Sequence, residues 1–342
     1  MLIAASIGIN SFAEDKVKKI ILAGADILRY NFSYRNTEEN LGYVRVGKKA
    51  IEELNSSVRL MIDLPNDRVR LGNFSLRLFG VRENEEFIFQ TASYSPDCNQ
   101  FIPVQMPKIG EKVKQDQTII IGDGEIAVQV IEVINSESFR ARILNNGILE
   151  AMRGIGLRQD VNEKKYLKNF ETRLKKIKEA NPSYVAIPFV NPDIEKKVRS
   201  LDAWNDWHTK IILKIDNESG LEHFDRICED GFYDMVLLDR GEIGINMQFA
   251  KNAVIQKQVT ERAKNHNKPL MISTQILEST IDNLIPNRSD IADLTHLVWD
   301  GVSGILLCRE TGVGLRPAYA ISVAKKIIEE AENYKKTNAQ AG

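Results

Sequence analysis

Ile211-Ile212-Leu213-Lys214-Ile215-Asp216 is a short apolar run of β type that ends in a cation and a carboxylate, and Met235-Val236-Leu237-Leu238-Asp239-Arg240-Gly241-Glu242-Ile243-Gly244 repeats the arrangement further along. Continuous apolar runs, with polar residues starting where each run stops, read as strands of a parallel sheet buried on both faces. In such sheets active sites are built at the carboxyl ends of the strands. An ammonium beside carboxylates at that edge suits an anionic substrate held through a hard divalent cation. A set of solvated strand-end charges would look the same in this segment alone.

Working outward, six more runs have the same character, so that strands are expected at 2–7, 27–30, 58–62, 184–187, 211–215, 235–238, 270–273 and 304–307. Each is followed, directly or after a detour, by a stretch of helical period: 15–23, 37–54, 163–180, 193–201, 221–229, 249–266, 289–298 and 317–334. Regular alternation of this kind means βαβ units, and eight of each is the count for an α/β fold of the (β/α)8 TIM barrel type. The detour follows the third strand. Between about 68 and 160 the helical period is lost, and short alternating segments at 87–89, 118–121, 126–133 and 139–144 are separated by Gly, Asn and Asp turns. The expected organisation is a barrel formed by 1–67 and 161–335, a small all-β domain inserted at 68–160, and a disordered tail at 336–342. An insertion after the third strand emerges at the face where barrel sites form and could act as a lid, with Gly72 and Gln159-Asp160 as hinges by position.

Composition narrows the function. The 46 basic and 47 acidic residues nearly cancel and form no long basic run, which argues against nucleic acid or an anionic membrane surface as the main partner. Met1-Leu2-Ile3-Ala4-Ala5-Ser6-Ile7-Gly8 lacks the basic flank and length of a signal peptide, and no run of apolar residues is long enough to span a membrane, so a cytoplasmic location is expected. Cys98, Cys228 and Cys308 are too scattered for a disulfide framework or a zinc site. The four histidines, His208, His223, His266 and His296, have no metal-binding spacing.

The barrel makes a demand that the residues meet: chemistry should cluster just after the strands. Arg29, Asn31 and Ser33 follow the second strand, Asp63 the third, Lys214 and Asp216 the fifth, Glu242 the sixth, Thr274 the seventh, and Arg309-Glu310 the eighth. Together with Ala25-Asp26-Ile27-Leu28-Arg29-Tyr30-Asn31-Phe32-Ser33, Gly122-Asp123-Gly124-Glu125-Ile126, Lys214-Ile215-Asp216-Asn217-Glu218-Ser219-Gly220-Leu221, Asp239-Arg240-Gly241-Glu242-Ile243-Gly244, Thr274-Gln275-Ile276-Leu277-Glu278-Ser279 and Pro286-Asn287-Arg288, these segments resemble pyruvate kinases over nearly the whole chain. The resemblance implies a phosphotransferase of glycolysis that acts on phosphoenolpyruvate and pyruvate with Mg2+ (or Mn2+) and K+. It assigns Lys214 as the ammonium beside the transferring phosphoryl group and enolate oxygen, and Arg29 as the fork that pairs with phosphate. Asp216 and Glu242 would hold the divalent ion. Thr274 and the N–H groups of Gly241 and Glu242 would grip the substrate carboxylate, with Arg70 also toward substrate. Asn31, Ser33 and Asp63 would supply oxygens to the monovalent ion.

Several positions depart from that family. Asp216 and Glu242 stand where the family has Glu and Asp, one side chain shortened and the other lengthened by a methylene. Asp63-Leu64-Pro65-Asn66-Asp67-Arg68 replaces Asp-Thr-Lys-Gly-Pro-Glu, removing a hydroxyl and an ammonium on the phosphoryl-acceptor side. Tyr34, Val313 and Pro188 stand for a histidine, a lysine and a serine, and Asp239 for an alanine. Arg70 keeps its place, and Arg153 beside Gly154 in the inserted domain is a further cation placed to cover a phosphate, so the loss is incomplete. Losing this many donors argues against ordinary binding of ADP or ATP. The family's C-terminal regulatory domain would be absent, leaving a homodimer as an open possibility. Three readings follow: a pyruvate-kinase-like phosphotransferase, a metal-dependent enolpyruvate or 2-oxo-acid enzyme (lyase, decarboxylase or transferase) that has lost the nucleotide, and a catalytically silent homologue that binds an anionic metabolite.

Overall fold

Valine, isoleucine, leucine and methionine dominate Leu2–Ser6, Ile27–Asn31, Arg59–Asp63, Tyr184–Pro188, Lys210–Ile215, Met235–Asp239, Leu270–Ser273 and Gly304–Leu307, and in the computed structural model these eight strands run parallel and close into a barrel. The structure describes residues 1–33, 35–66, 68–76, 78–157, 161–246 and 249–339. Closure is made by the first strand, which pairs with the second through Ala4 and Ile27 and with the eighth through Ala4 and Leu306. Every other residue points inward, and Ala4, Ile27, Met61, Tyr184, Ala186, Ile212, Met235, Leu237, Met271 and Leu306 fill the interior as one cluster. Small Ala4 and Ala186 make room for Tyr184 and the methionines, so the barrel is a packed core and not a pore. Burial of each such large side chain contributes about 1.5–3 kcal/mol.

Helices Glu14–Leu22, Thr37–Glu53, Glu163–Lys178, Pro192–Arg199, Asn252–Asn265, Arg288–Trp299 and Pro317–Ala339 cover the outside. The Thr37–Glu53 helix starts where it does because Asn36 and Glu39 form a reciprocal capping box. It reaches its strand closely at Gly47, where a Cβ would stand 1.9 Å from the Tyr30 hydroxyl. Between the fifth and sixth strands, one helix was expected at 221–229. Two short ones form instead, Glu218–Glu222 capped by the Asn217 side chain and Phe224–Glu229, with the break at His223. The last helix continues to Ala339, beyond the tail boundary expected at 336, because Lys335-Lys336-Thr337-Asn338 contains no helix breaker. Residues 340–342, Tyr34 and the hinge positions Gln159-Asp160 lie outside the described residues.

The chain divides into two compact units, one of residues 1–66, 163–243 and 250–342, the other of 67–162 and 244–249. The second has its own core around a five-stranded sheet in the order Ile102–Val104, Glu86–Thr91, Ser138–Ile143, Ile126–Asn135, Thr118–Ile121. Phe89 and Phe139 stack in that core with ring centroids 5.1 Å apart. Strands Asn73–Phe74, Leu78–Val81, Tyr94–Ser95, Ile102–Val104 and Gly147–Glu150 escape sequence reading because two to four residues are too few to display alternation. Gly72, a hinge by position, is tied into the sheet unit: its N–H donates to the Pro103 carbonyl at 2.7 Å.

Candidate active site

The barrel brings two expected cations, from two strands, onto one expected carboxylate of a third. Asp63 ends the third strand with its side chain 1% exposed, and a buried carboxylate requires cations. Arg29 of the second strand supplies its guanidinium to Oδ2, with Nε at 2.9 Å and Nη2 at 2.5 Å, while Nη1 donates to Ser6 Oγ at 3.0 Å. Lys214 of the fifth strand stands with Nζ 2.6 Å from Asp63 Oδ1, an ion pair lying off the hydrogen-bond direction, and donates its directed bond to the Leu64 carbonyl at 2.8 Å. Burial alone would raise the Asp63 carboxyl, but the Lys214 and Arg29 charges outweigh it and hold it below the usual range.

Asp216, just past the fifth strand, has the opposite balance. It is buried, and it accepts only from neutral amides: Asn66 Nδ2 at 3.1 Å on Oδ2 and Asn217 Nδ2 at 3.2 Å on Oδ1. No ion pair reaches it among the described residues. Burial pushes its carboxyl up to about 6; Lys214 and Asn66 pull it down, and the charges of Asp239 and Asp63 push it further up. Asp239 is its neighbour by register, because Ile215 pairs with Leu238 on the sixth strand.

Thr274 follows the seventh strand in an unusual backbone. Its φ is +74° and that of Gln275 is +53°, left-handed values that cost a β-branched residue on the order of 1–3 kcal/mol. Two side chains hold this turn. Arg240 donates to the Thr274 carbonyl from Nε at 3.0 Å and Nη2 at 2.7 Å, to the Gln275 carbonyl at 2.8 Å, and pairs with Asp293 at 2.8 Å. The buried Glu310 accepts the N–H groups of Ile276 and Leu277, each at 3.1 Å. So fixed, Thr274 Oγ1 donates to Asp239 Oδ1 at 2.9 Å. Cys308, also at this end, is no nucleophile: burial pushes its thiol up to about 12.

The other expected residues fall as follows. Glu242 lies half-buried in the first turn of the short helix Arg240–Asn246, and Gly241 precedes it in that turn. Asn31 ends the second strand opposite Asp63, and its Oδ1 accepts the Ser33 N–H at 3.0 Å. Arg70 belongs to the sheet unit, where its Nη1 donates to the Met152 carbonyl at 3.0 Å. Arg153, expected to cover a phosphate, is ion-paired with Asp123 at 3.1 Å and with Glu125. Sequence reading missed Ser6, Asn66 and Arg240 as parts of the site: Ser6 and Asn66 are uncharged, and Arg240, directly after the sixth strand, acts through contacts with the turn after the seventh that only the fold shows. Asp239 was legible only as an extra carboxylate.

Asp216 fits a divalent cation: it is an anionic oxygen donor, buried and not charge-compensated, with a second carboxylate beside it. No group of three or more His, Cys, Asp or Glu side chains is arranged to hold a metal among the described residues, so substrate and water would complete the coordination. The donors expected for potassium do not fit in the same way. Asp63 already faces two cations, and Asn31 Oδ1 accepts the Ser33 N–H at 3.0 Å with one of its two lone pairs.

Comparison with known proteins agrees with the barrel fold. The family model "Pyruvate kinase, barrel domain" matches residues 1–321. The chain is 26% identical to a pyruvate kinase of Thermotoga maritima over 96% of its own length and 70% of that protein's. It is 27% identical to one of Thermococcus litoralis over 98% and 70%, and 27% identical to one of Dictyostelium discoideum over 96% and 66%. No helix among the described residues is long and apolar enough to cross a membrane.

Proposed function

The chain belongs to the pyruvate kinase family, and from that premise we propose that it is a phosphotransferase acting on phosphoenolpyruvate or pyruvate at the carboxyl end of the barrel. The observation that carries the reading is the buried Lys214 ammonium, 7% exposed, set between the Asp63 carboxylate and the open end of the strands. Burying a lysine head group is costly, and a task at an anionic substrate accounts for placing one beyond the needs of Asp63, which Arg29 already meets. A preorganised ammonium in low dielectric stabilises charge that develops on an enolate or phosphoryl oxygen.

Each residue then has a defined task. Asp63 fixes Lys214 and Arg29 against each other, and Arg29 stands as the guanidinium that pairs with a phosphate oxygen. Thr274 orients the substrate carboxylate together with the Gly241 and Glu242 N–H groups. Asp216, with Glu242 as second carboxylate, would hold a divalent cation, which when bound supplies Lewis-acid polarisation of substrate oxygens. No role is assigned to potassium.

A second reading keeps this chemistry without a nucleotide, as a 2-oxo-acid or enolpyruvate enzyme with another acceptor. Two observations favour it: the buried, apolar Leu64 followed by Pro65 where an acceptor site needs donors, and the engagement of Arg153 by two carboxylates. Lys214→Ala tests the reading common to both. Turnover should fall by on the order of a thousandfold or more while substrate affinity changes much less. Unchanged turnover would remove Lys214 from the chemistry.

A further inference from the structure

A carboxylate oxygen of the chain itself sits where the proposed reaction needs one from the substrate. Asp239 Oδ1 accepts from Thr274 Oγ1 at 2.9 Å, from Gly241 N at 3.1 Å and, at the long distance of 3.5 Å, from Glu242 N. The strands impose this: Asp239 pairs with Ser273, which places it next to Thr274 at the end of the neighbouring strand. No cation pairs with Asp239 among the described residues, so the hydroxyl and the amides are what holds it. Capping of the short helix Arg240–Asn246 accounts for the amide contacts. It does not account for Thr274, which lies on another element.

We propose that Asp239 is a specificity-determining residue, an internal carboxylate that a substrate carboxylate must displace from Thr274 before it can seat. The inference rests on the substrate reading above. A hydroxyl has one proton and cannot donate to two carboxylates at once. Two carboxylates competing for the same donors also repel each other. The work of moving Asp239 aside is therefore subtracted equally from the affinity of every carboxylate ligand, so the site discriminates against carboxylates as a class and not among them.

Calorimetric titration of pyruvate at saturating Mg2+ into the full chain and its Asp239→Ala variant tests this. The variant should bind about tenfold more tightly or better, the energy scale of one charge-assisted hydrogen bond. Asp239→Asn, which keeps an acceptor for Thr274 but not the charge, should fall between. Adding Thr274→Val to Asp239→Ala should cancel the gain. Equal affinity of parent and Asp239→Ala overturns the inference and leaves the substrate reading standing, since pyruvate still binds. No binding to parent, Asp239→Ala or Asp239→Asn, with the last folded by its melting curve, contradicts the substrate reading and the inference with it.

Discussion

Two aspartates at the ends of barrel strands show how surroundings decide the state of a carboxylate. Asp63 meets two cations and is held ionised; Asp216, paired only with amides among the described residues, is pushed up to about 6 by burial, with the Asp239 charge adding to the rise. The raised group binds its proton more tightly folded than unfolded, so its favourable contribution is complete below the ordinary aspartate range and is lost as pH rises through about 6. Asp216→Asn removes that loss. In metal-free buffer the variant should exceed the parent by on the order of 2–3 kcal/mol at pH 8 and match it at pH 4, as read from denaturant melts. A variant no more stable than the parent at pH 8 would mean that the Asp216 carboxylate is not isolated as described. The double pairing of Asp63 carries its own expectation. Exchanging potassium for tetramethylammonium at constant ionic strength should leave the melting temperature of the unliganded protein unchanged, and a rise of several degrees in potassium would reveal a monovalent site that Lys214 yields.

At the scale of elements, the turn after the seventh strand is the most demanding part of the barrel. Thr274 and Gln275 are consecutive non-glycine residues with left-handed φ, and nothing local stabilises them. Arg240, from the short helix after the sixth strand, clamps both carbonyls and anchors itself on Asp293. Arg240→Ala should therefore cost on the order of 2–3 kcal/mol and raise KM more than it lowers kcat, because Thr274 would lose its aim while Lys214 stays in place. Arg240→Lys should rescue little, since one ammonium cannot serve two carbonyls and a carboxylate with the geometry of a fork. An Arg240→Lys enzyme with parental KM would show that the fork of Arg240 is not what holds the turn, leaving Glu310 and the backbone to do so. This turn was not legible in the sequence: no glycine or asparagine marks it, and it is set by contacts between elements.

For the whole molecule, legibility followed burial. Each barrel strand was placed to within a residue at either end, because a strand covered on both faces must be a nearly unbroken apolar run, as Met235–Asp239 and Gly304–Leu307 are. The helix after the fifth strand was misread as continuous, its break at His223 carrying no proline or glycine. The small strands of the sheet unit were lost because their pairing partners lie far off in sequence, as Leu78–Val81 pairs with Gly147–Glu150. The site was half legible. Which residues stand at strand ends follows from the pattern, but who pairs with whom follows from closure: Arg29 on Asp63, Asn66 on Asp216, Thr274 on Asp239. Phosphorus NMR of the purified chain with phosphoenolpyruvate and Mg2+, run in parallel with and without ADP, tests the central claim most directly. The account predicts loss of the phosphoenolpyruvate resonance with appearance of the ATP resonances in the tube that holds ADP. Phosphoenolpyruvate left intact in both tubes would contradict it.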